Sequence, residues 1–337
     1  MHRLFHSPKP ALLFMLLAAL LAAACGDFNK AVKSTDRNFK MATAVKYFEK
    51  GDYDRCMPLL EELLQITRGD TMFERVSYYY AKGYFGMKDY ILAGYYLDNF
   101  AKTFRNSRHA EECSFLSAYC HYKESPEYEL DQTDTRTAID QMELFMVRFP
   151  ETGLKDSCNA LIDVLRAKLE KKDYYNAMLY VKTRRYQAAT IALENFLKSW
   201  PNSRYREDVL FSILRTEHDL AANSIDSRKL GRIEEGFSAY DMYADAYPDT
   251  LRAGEAAALR DRLEKLREGA LVANMAIERD LALQSPDAQS RNAHLEAGSR
   301  YYGIFARDFP QSGRMKEAEH LRAEIDALKE SPAAPQP

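Results

Sequence analysis

Glycine and proline are scarce, with 14 and 12 in 337 residues. A many-stranded fold needs turn formers at every hairpin, so the scarcity argues against one, while a 46% hydrophobic share argues against disorder. Helices remain. Close pairs of cysteine are also missing: beyond Cys25 the chain has only Cys56, Cys113, Cys120 and Cys158, well scattered. On one helix Cys113 and Cys120 would lie about 10.5 Å apart in rise, too far for a disulfide. All four read as small core residues. Catalytic signatures are absent too, since no Gly-rich phosphate loop, Gly-x-Ser-x-Gly elbow, His-x-x-His or His-Glu-x-x-His pair occurs. The seven histidines are isolated, and His121 and His218 read as surface or hydrogen-bonded helix residues. Acid pairs such as Glu61-Glu62, Glu111-Glu112 and Glu234-Glu235 read as helix-face charges, because adjacent residues on a helix do not face each other. No catalytic residue, cofactor or metal is expected. A net charge of −3 offers nothing to nucleic acid.

The amino terminus is organised differently. Arg3 and Lys9 precede an apolar run from Ala11 to Ala24, and Cys25 follows directly. This is the layout of an export signal, and the run is shorter than the ~20 residues a bilayer-spanning helix needs. With Ala22, Ala23 and Ala24 before the cysteine, the junction resembles a bacterial lipobox, although Leu21 stands four rather than three positions before Cys25. The resemblance implies cleavage after residue 24 and lipidation of Cys25. Several acyl chains would make the attachment stable where one would be marginal. An ordinary secretory signal with a free cysteine is the alternative. Residues 25–38 then read as a polar tether.

Three segments superimpose without a gap: Ala44, Tyr47, Tyr53, Cys56, Leu60, Leu63; Ala81, Tyr84, Tyr90, Ala93, Leu97, Phe100; and Ala177, Tyr180, Tyr186, Ala189, Leu193, Phe196. The spacing fits antiparallel helix pairs, broken at Gly51-Asp52, Lys88-Asp89 and Arg184-Arg185. Small residues belong where two helices cross closely, and aromatics fill the space between neighbours. The pattern resembles the tetratricopeptide repeat, and the fold class expected is all-α, a right-handed superhelical solenoid of helical hairpins with a carboxy-terminal capping helix.

A terminal mark recurs more widely, as two aromatics four apart, mostly followed by proline: Phe100/Phe104, Phe145/Phe149/Pro150, Phe196/Trp200/Pro201, Tyr243/Tyr247/Pro248 and Phe305/Phe309/Pro310. Each should end a helix. The marks are farther apart than the ~34 residues of a bare repeat, so insertions are expected, two of them at Lys123–Thr135 and Asn223–Glu234. Pro58 falls inside a predicted helix, where proline costs about 3 kcal/mol, and predicts a late helix start. Beyond Pro248 the stripe Leu259, Leu263, Leu266, Ala270 predicts one long helix, Ser285-Pro286 interrupts it, and Ala318, Leu321, Ile325, Leu328 mark a final cap. Residues 331–337 read as a Pro/Ala tail. Tyr47, Tyr84 and Tyr180 are explained by packing; off-pattern Tyr79, Tyr95 and Tyr96 are candidates for an exposed concave surface.

The segment SPEYELDQTDTRTAIDQMELFMVRFP, Ser125 to Pro150, narrows the class. Pro126, Asp131, Gln132, Thr133, Ala138, Ile139, Phe149 and Pro150, with a second patch from Leu165 to Leu169 and on through Tyr186 to Ser203, resemble the BamD family of lipoproteins of the outer-membrane β-barrel assembly machinery. Read from the residues alone, Asp131 to Asp134 can fold an Asx-type turn and cap a helix starting near Thr135; a direct contact site is the other reading. The resemblance implies a non-catalytic scaffold, lipid-anchored at the periplasmic face of the outer membrane. It further implies that residues 39–150 offer a substrate-side groove to unfolded outer-membrane proteins. Residues 151–248 would bind the periplasmic domains of a barrel-embedded assembly protein; residues 249–330, an additional hairpin and cap, depart from the family pattern. Arg184 and Arg185 at one turn, with Arg204 and Arg206 after the terminal proline, form the expected partner-binding cluster. Two other readings share the lipobox and repeats: a different envelope adaptor lipoprotein, which would lack the Asp-Gln-Thr insert, and a helical carbohydrate-uptake lipoprotein, for which only Trp200 is at hand.

Overall fold

The computed structural model describes residues 26–330, so Cys25, the apolar segment before it and the tail 331–337 lie outside the described residues. Fourteen helices and no strand occur among the described residues: α1 Gly26–Lys33, α2 Arg37–Glu49, α3 Tyr53–Ile66, α4 Met72–Met87, α5 Tyr90–Thr103, α6 Ala110–Glu124, α7 Thr133–Arg148, α8 Lys155–Lys182, α9 Tyr186–Ser199, α10 Arg206–Ala222, α11 Asp226–Ala246, α12 Ala253–Gln284, α13 Ala288–Asp308 and α14 Met315–Glu330. The chain divides into two compact units at residues 169 and 170. Each is a stack of tetratricopeptide-like helical hairpins.

In the first unit, helices pack on their neighbours in chain order, and α2 also reaches α4. The aligned small residues Ala44, Cys56, Ala81 and Ala93 are fully buried, as the spacing requires for close crossings. The hairpin turns share one geometry. Gly51 and Lys88 adopt left-handed backbone, with φ of 70° and 64°. After each, the next amide reaches back to the tyrosine carbonyl five residues earlier, Asp52 to Tyr47 and Asp89 to Tyr84. This Schellman closure satisfies the last carbonyls of the first helix. Asp52 and Asp89 then cap the second helix, accepting from the amides of Arg55 and Leu92.

The second unit uses the same turn at Arg184, φ 55°, with the amide of Arg185 bonded to the carbonyl of Tyr180. Ala177, Leu193 and Phe196 are buried in its core with residues of α10, α11 and the first half of α12, and Ala189 is fully buried. The second half of α12 packs through Leu271, Val272 and Met275 on Phe305 of α13 and on Ala318 and Leu321 of α14. All five terminal marks end helices in one manner. The first aromatic is buried, and the second stands at the cap with its amide bonded to the first one's carbonyl, at 2.8–2.9 Å.

Four expectations change. Residues 26–38 are mostly helical rather than a bare tether, because Ala31 is fully buried and Phe28 packs edge-on against Tyr47 at 6.1 Å. Helix α3 starts at Tyr53 and runs through Pro58. Pro58 and Asp54, whose carbonyl loses its amide partner, are both exposed, so water can replace the missing bond. The stretch 223–234 is a three-residue connection followed by helix, with Ile233 buried. Of the tyrosines, Tyr180 is 41% exposed rather than core, while Tyr96 stacks on Tyr84 at 5.3 Å and Tyr79 packs on Phe48 at 5.1 Å. Tyr95 alone of the three candidates is exposed.

Candidate functional site

The Asp-Gln-Thr loop joins α6 to α7, and its chemistry is inward. Gln132 is 1% exposed. Its amide nitrogen donates to the carbonyls of Glu127 (2.8 Å) and Leu130 (3.0 Å), and its amide oxygen accepts from the Thr135 hydroxyl at 2.8 Å. Thr135 also meets the Ser125 hydroxyl at 2.7 Å, and Lys168 donates to that same hydroxyl at 2.8 Å. Burial pushes the Lys168 ammonium below the ordinary lysine range, with Glu127 opposing. Asp131 accepts from the Thr133 amide at 2.9 Å, an Asx-type turn, and Pro126 is half-buried beside Ser125. Helix α7 therefore begins at Thr133, two residues earlier than expected, with Gln132 at the cap position holding the loop rather than the helix end.

The four arginines do not come together. Arg185 occupies the cap before α9 and Arg204 follows its far end. The 14 residues of α9 put about 21 Å between the two pairs. Turns that are close in sequence sit at opposite ends of the helix between them. Arg204 covers the Tyr205 ring at 4.9 Å and donates to its hydroxyl, Arg206 reaches the Pro201 carbonyl, and Arg184 and Arg185 are exposed.

Two carboxylate latches repeat in register. The Tyr78 hydroxyl donates to Glu112 at 2.9 Å and its ring stacks on His109 at 3.9 Å; Tyr174 donates to Asp208 and stacks on Tyr205 at 4.1 Å. Burial, reinforced by the carboxylate, pushes both phenols up. Glu112 also takes Lys82 at 2.6 Å, so it is more than a surface charge. Burial raises Glu112, but the bonds from Lys82 and Tyr78 with the Lys82 and His109 charges outweigh it, and the carboxyl stays below its usual range. A second latch follows the terminal mark. Ser107, Thr152, Ser203, Thr250 and Ser312 lie three residues after the last aromatic, and each hydroxyl oxygen accepts from the amide two residues on. Thr152, Thr250 and Ser312 also donate to Glu111, Glu207 and Glu268 on earlier helices. The signal is present in the sequence as a Ser or Thr at constant offset from the terminal aromatic.

Each unit has a groove open to solvent. In the first, α3, α4 and α5 enclose about 350 Å³ between Leu64, Phe73, Tyr80, Tyr96 and Phe104, with Arg68 and Asn99 at its edge. In the second, α9, α10 and α11 enclose about 840 Å³ lined by aliphatic residues such as Ile191, Leu210 and Leu220 together with charged ones, among them Glu217, Lys198 and Arg206. Cys56, Cys113 and Cys120 are free and buried, and burial pushes their thiols up to about 12, so they stay protonated. Among the described residues no His/Cys/Asp/Glu group suits a metal, and no helix is long and apolar enough to cross a membrane.

The sequence is similar to a protein of Aquifex aeolicus (strain VF5) that carries the name outer membrane protein assembly factor BamD, at 24% identity over 203 residues. That alignment takes in 60% of this chain and 66% of the relative, just under two thirds of its length. A family model described as outer membrane lipoprotein, YfiO, matches residues 35–230, a span that holds the Asp-Gln-Thr loop and both tyrosine latches. With more than half of its length inside that match, the chain belongs to the YfiO family of outer membrane lipoproteins, the BamD family.

Proposed function

We propose that the protein is a non-catalytic scaffold subunit of the machinery that assembles outer-membrane β-barrel proteins. The family match over residues 35–230 carries this reading. Stacked helical hairpins supply extended binding surfaces without chemistry. In the first unit, the aromatic groove between α3, α4 and α5 suits segments of unfolded barrel proteins, whose strands alternate apolar and polar side chains. Residues 151–248 serve a barrel-embedded partner through its periplasmic domains, with exposed Arg184 and Arg185 as one contact corner and Arg204 and Arg206 as a separate one. Arginine is favoured at interfaces because its planar fork pairs bidentately with carboxylates.

The test is affinity purification of the full chain from detergent-solubilised membranes. A barrel protein with periplasmic domains should be recovered, less so for the Arg184→Glu, Arg185→Glu double variant, and raised salt should lower recovery by the unmodified protein. A chain that recovers no barrel protein removes the assembly role; undiminished recovery by the folded double variant removes only the arginine corner. Lipid attachment at Cys25 is tested separately, since Cys25→Ser should release the protein into the soluble periplasmic fraction. A variant that still fractionates with membranes through a cleaved, non-acylated amino terminus overturns the lipid anchor.

A further inference from the structure

The groove of the second unit contains a polar group that its surroundings leave unmet. Glu217 lies on α10 and is 5% exposed. One carboxylate oxygen accepts from the Thr190 hydroxyl at 2.6 Å, and the other, Oε2, has no hydrogen-bond partner. A buried carboxylate oxygen without a donor is costly, and buried polar groups are normally satisfied. The charges facing it do not help. Glu194 comes from α9 and Glu235 from α11, while the nearby cation, Arg232, is already bonded to Glu235 at 2.8 Å. Among the charges that act on Glu217 the carboxylates Glu194 and Glu235 outnumber the one cation, Arg232, while Lys198 and Arg206 also line the groove. A neutral donor would satisfy Oε2 and leave that repulsion standing; a cation relieves both.

The walls define the rest of the occupant. On either side of α10 the groove is bordered by Ile191 on α9 and Met242 on α11, both large, apolar and more than half exposed. The lining positions on α11, Glu235, Ser238, Ala239 and Met242, follow the three-and-four spacing of a single helix face. Two such faces flanking a third helix form a trough into which an amphipathic helix lays its apolar side.

We infer that the α9–α10–α11 groove is a docking site for an amphipathic helix of a partner protein, with a lysine or arginine of that helix donating to Oε2 of Glu217. This rests on the reading of residues 151–248 as the partner-binding region. The apolar residues flanking the cation cover Ile191 and Met242, and the cation is drawn from water because Glu194 and Glu235 add to the charge of Glu217 there and Arg232 is spent on Glu235. Thr190 occupies Oε1, so that Oε2 is the carboxylate oxygen left without a donor.

The test uses the full chain in its own membranes, with the photo-reactive residue p-benzoylphenylalanine replacing Met242 in one sample and Ile191 in another. Cross-linked peptides are mapped by mass spectrometry, and barrel-protein recovery is measured on the same samples. Both positions should cross-link to one partner segment of helical apolar spacing with Lys or Arg within one turn of the link. Glu217→Gln, nearly isosteric and checked for its melting temperature, should lower the yield at least fivefold, and replacing the partner's cation by Met should do the same. Barrel recovery with no cross-link, with links to segments lacking a cation, or with a yield indifferent to Glu217→Gln overturns the docking site and leaves the assembly role intact. Cross-links to a cationic helix without barrel recovery do the reverse. Loss of both removes both.

Discussion

The same helix crossing occurs once in each unit, and the two copies are chemically unlike. The register that places Tyr78 and Glu112 on Tyr174 and Asp208 also places Gly94 on Thr190, and Ser117 and Cys120 on Ile213 and Thr216. In the first unit, Gly94 lets α5 and α6 approach so closely that a Cβ there would lie 3.3 Å from that of Cys120. Its carbonyl accepts from the Ser117 hydroxyl at 3.0 Å, and the crossing is closed and satisfied. In the second, Thr190 replaces that glycine. Its hydroxyl is spent on Glu217, and both Thr216 Oγ1 and Glu217 Oε2 are buried without partners. One repeat pattern can thus build a sealed crossing or an open groove, depending on one small residue and what faces it. The repeat supplies the scaffold, and the off-pattern positions set its chemistry.

Three measurements would break or sharpen this contrast. The largest effect is expected where the units are alike. Phe100 and Phe196 are equivalent and almost wholly buried, so Phe100→Ala and Phe196→Ala should each cost about 3–5 kcal/mol in denaturant unfolding. A negligible cost at either position would show that its terminal mark is not core.

An intermediate effect concerns the small positions. Ala93→Leu and Ala189→Leu insert bulk at fully buried crossings and should cost about 1–3 kcal/mol, against almost nothing for Ala327→Leu on an exposed helix face. Equal shifts in melting temperature at all three would refute the close crossings.

The smallest effect, about 1 kcal/mol at Glu217 and less at Glu112, whose 41% exposed side chain is screened by solvent, is the one whose sign should differ between units. Glu112 is held below its usual range, so its contribution is present above the unfolded pKa and lost as pH falls through the folded one. Burial, with Glu194 and Glu235 adding to it against Arg232 and Thr190, pushes Glu217 up, so its ionisation costs stability as pH rises from the unfolded pKa through the folded one. Glu112→Gln should therefore destabilise and Glu217→Gln should stabilise at pH 7.5, and both differences should shrink toward pH 4. Like signs at neutral pH would erase the contrast.

Much of the fold follows from the sequence because repeat contacts are local. Ala44, Ala81, Ala177 and the terminal aromatics recur at fixed offsets, and a helix of 3.6 residues per turn converts offset into face without further information. The hairpin breaks at Gly51, Lys88 and Arg184 were legible for the same reason, and so was the α12 stripe through Leu259 and Leu263. The candidate sites were legible only in part. Asp131 to Thr133 reads as a turn from residue types alone, yet the network that holds buried Gln132 runs through Thr135 and Ser125 to Lys168 on another helix. Arg184 and Arg204 are near in sequence, but α9 carries them to opposite ends. Tyr180 kept its repeat position but not its burial, since a position on a helix face is covered only if a neighbouring helix reaches it. Periodicity thus determined which residues form hairpins, because one helix's geometry suffices for that. Only the tertiary structure decided which polar groups are satisfied, closing Gly94 and leaving Glu217 open, because hydrogen-bond satisfaction depends on side chains from three helices meeting at one place.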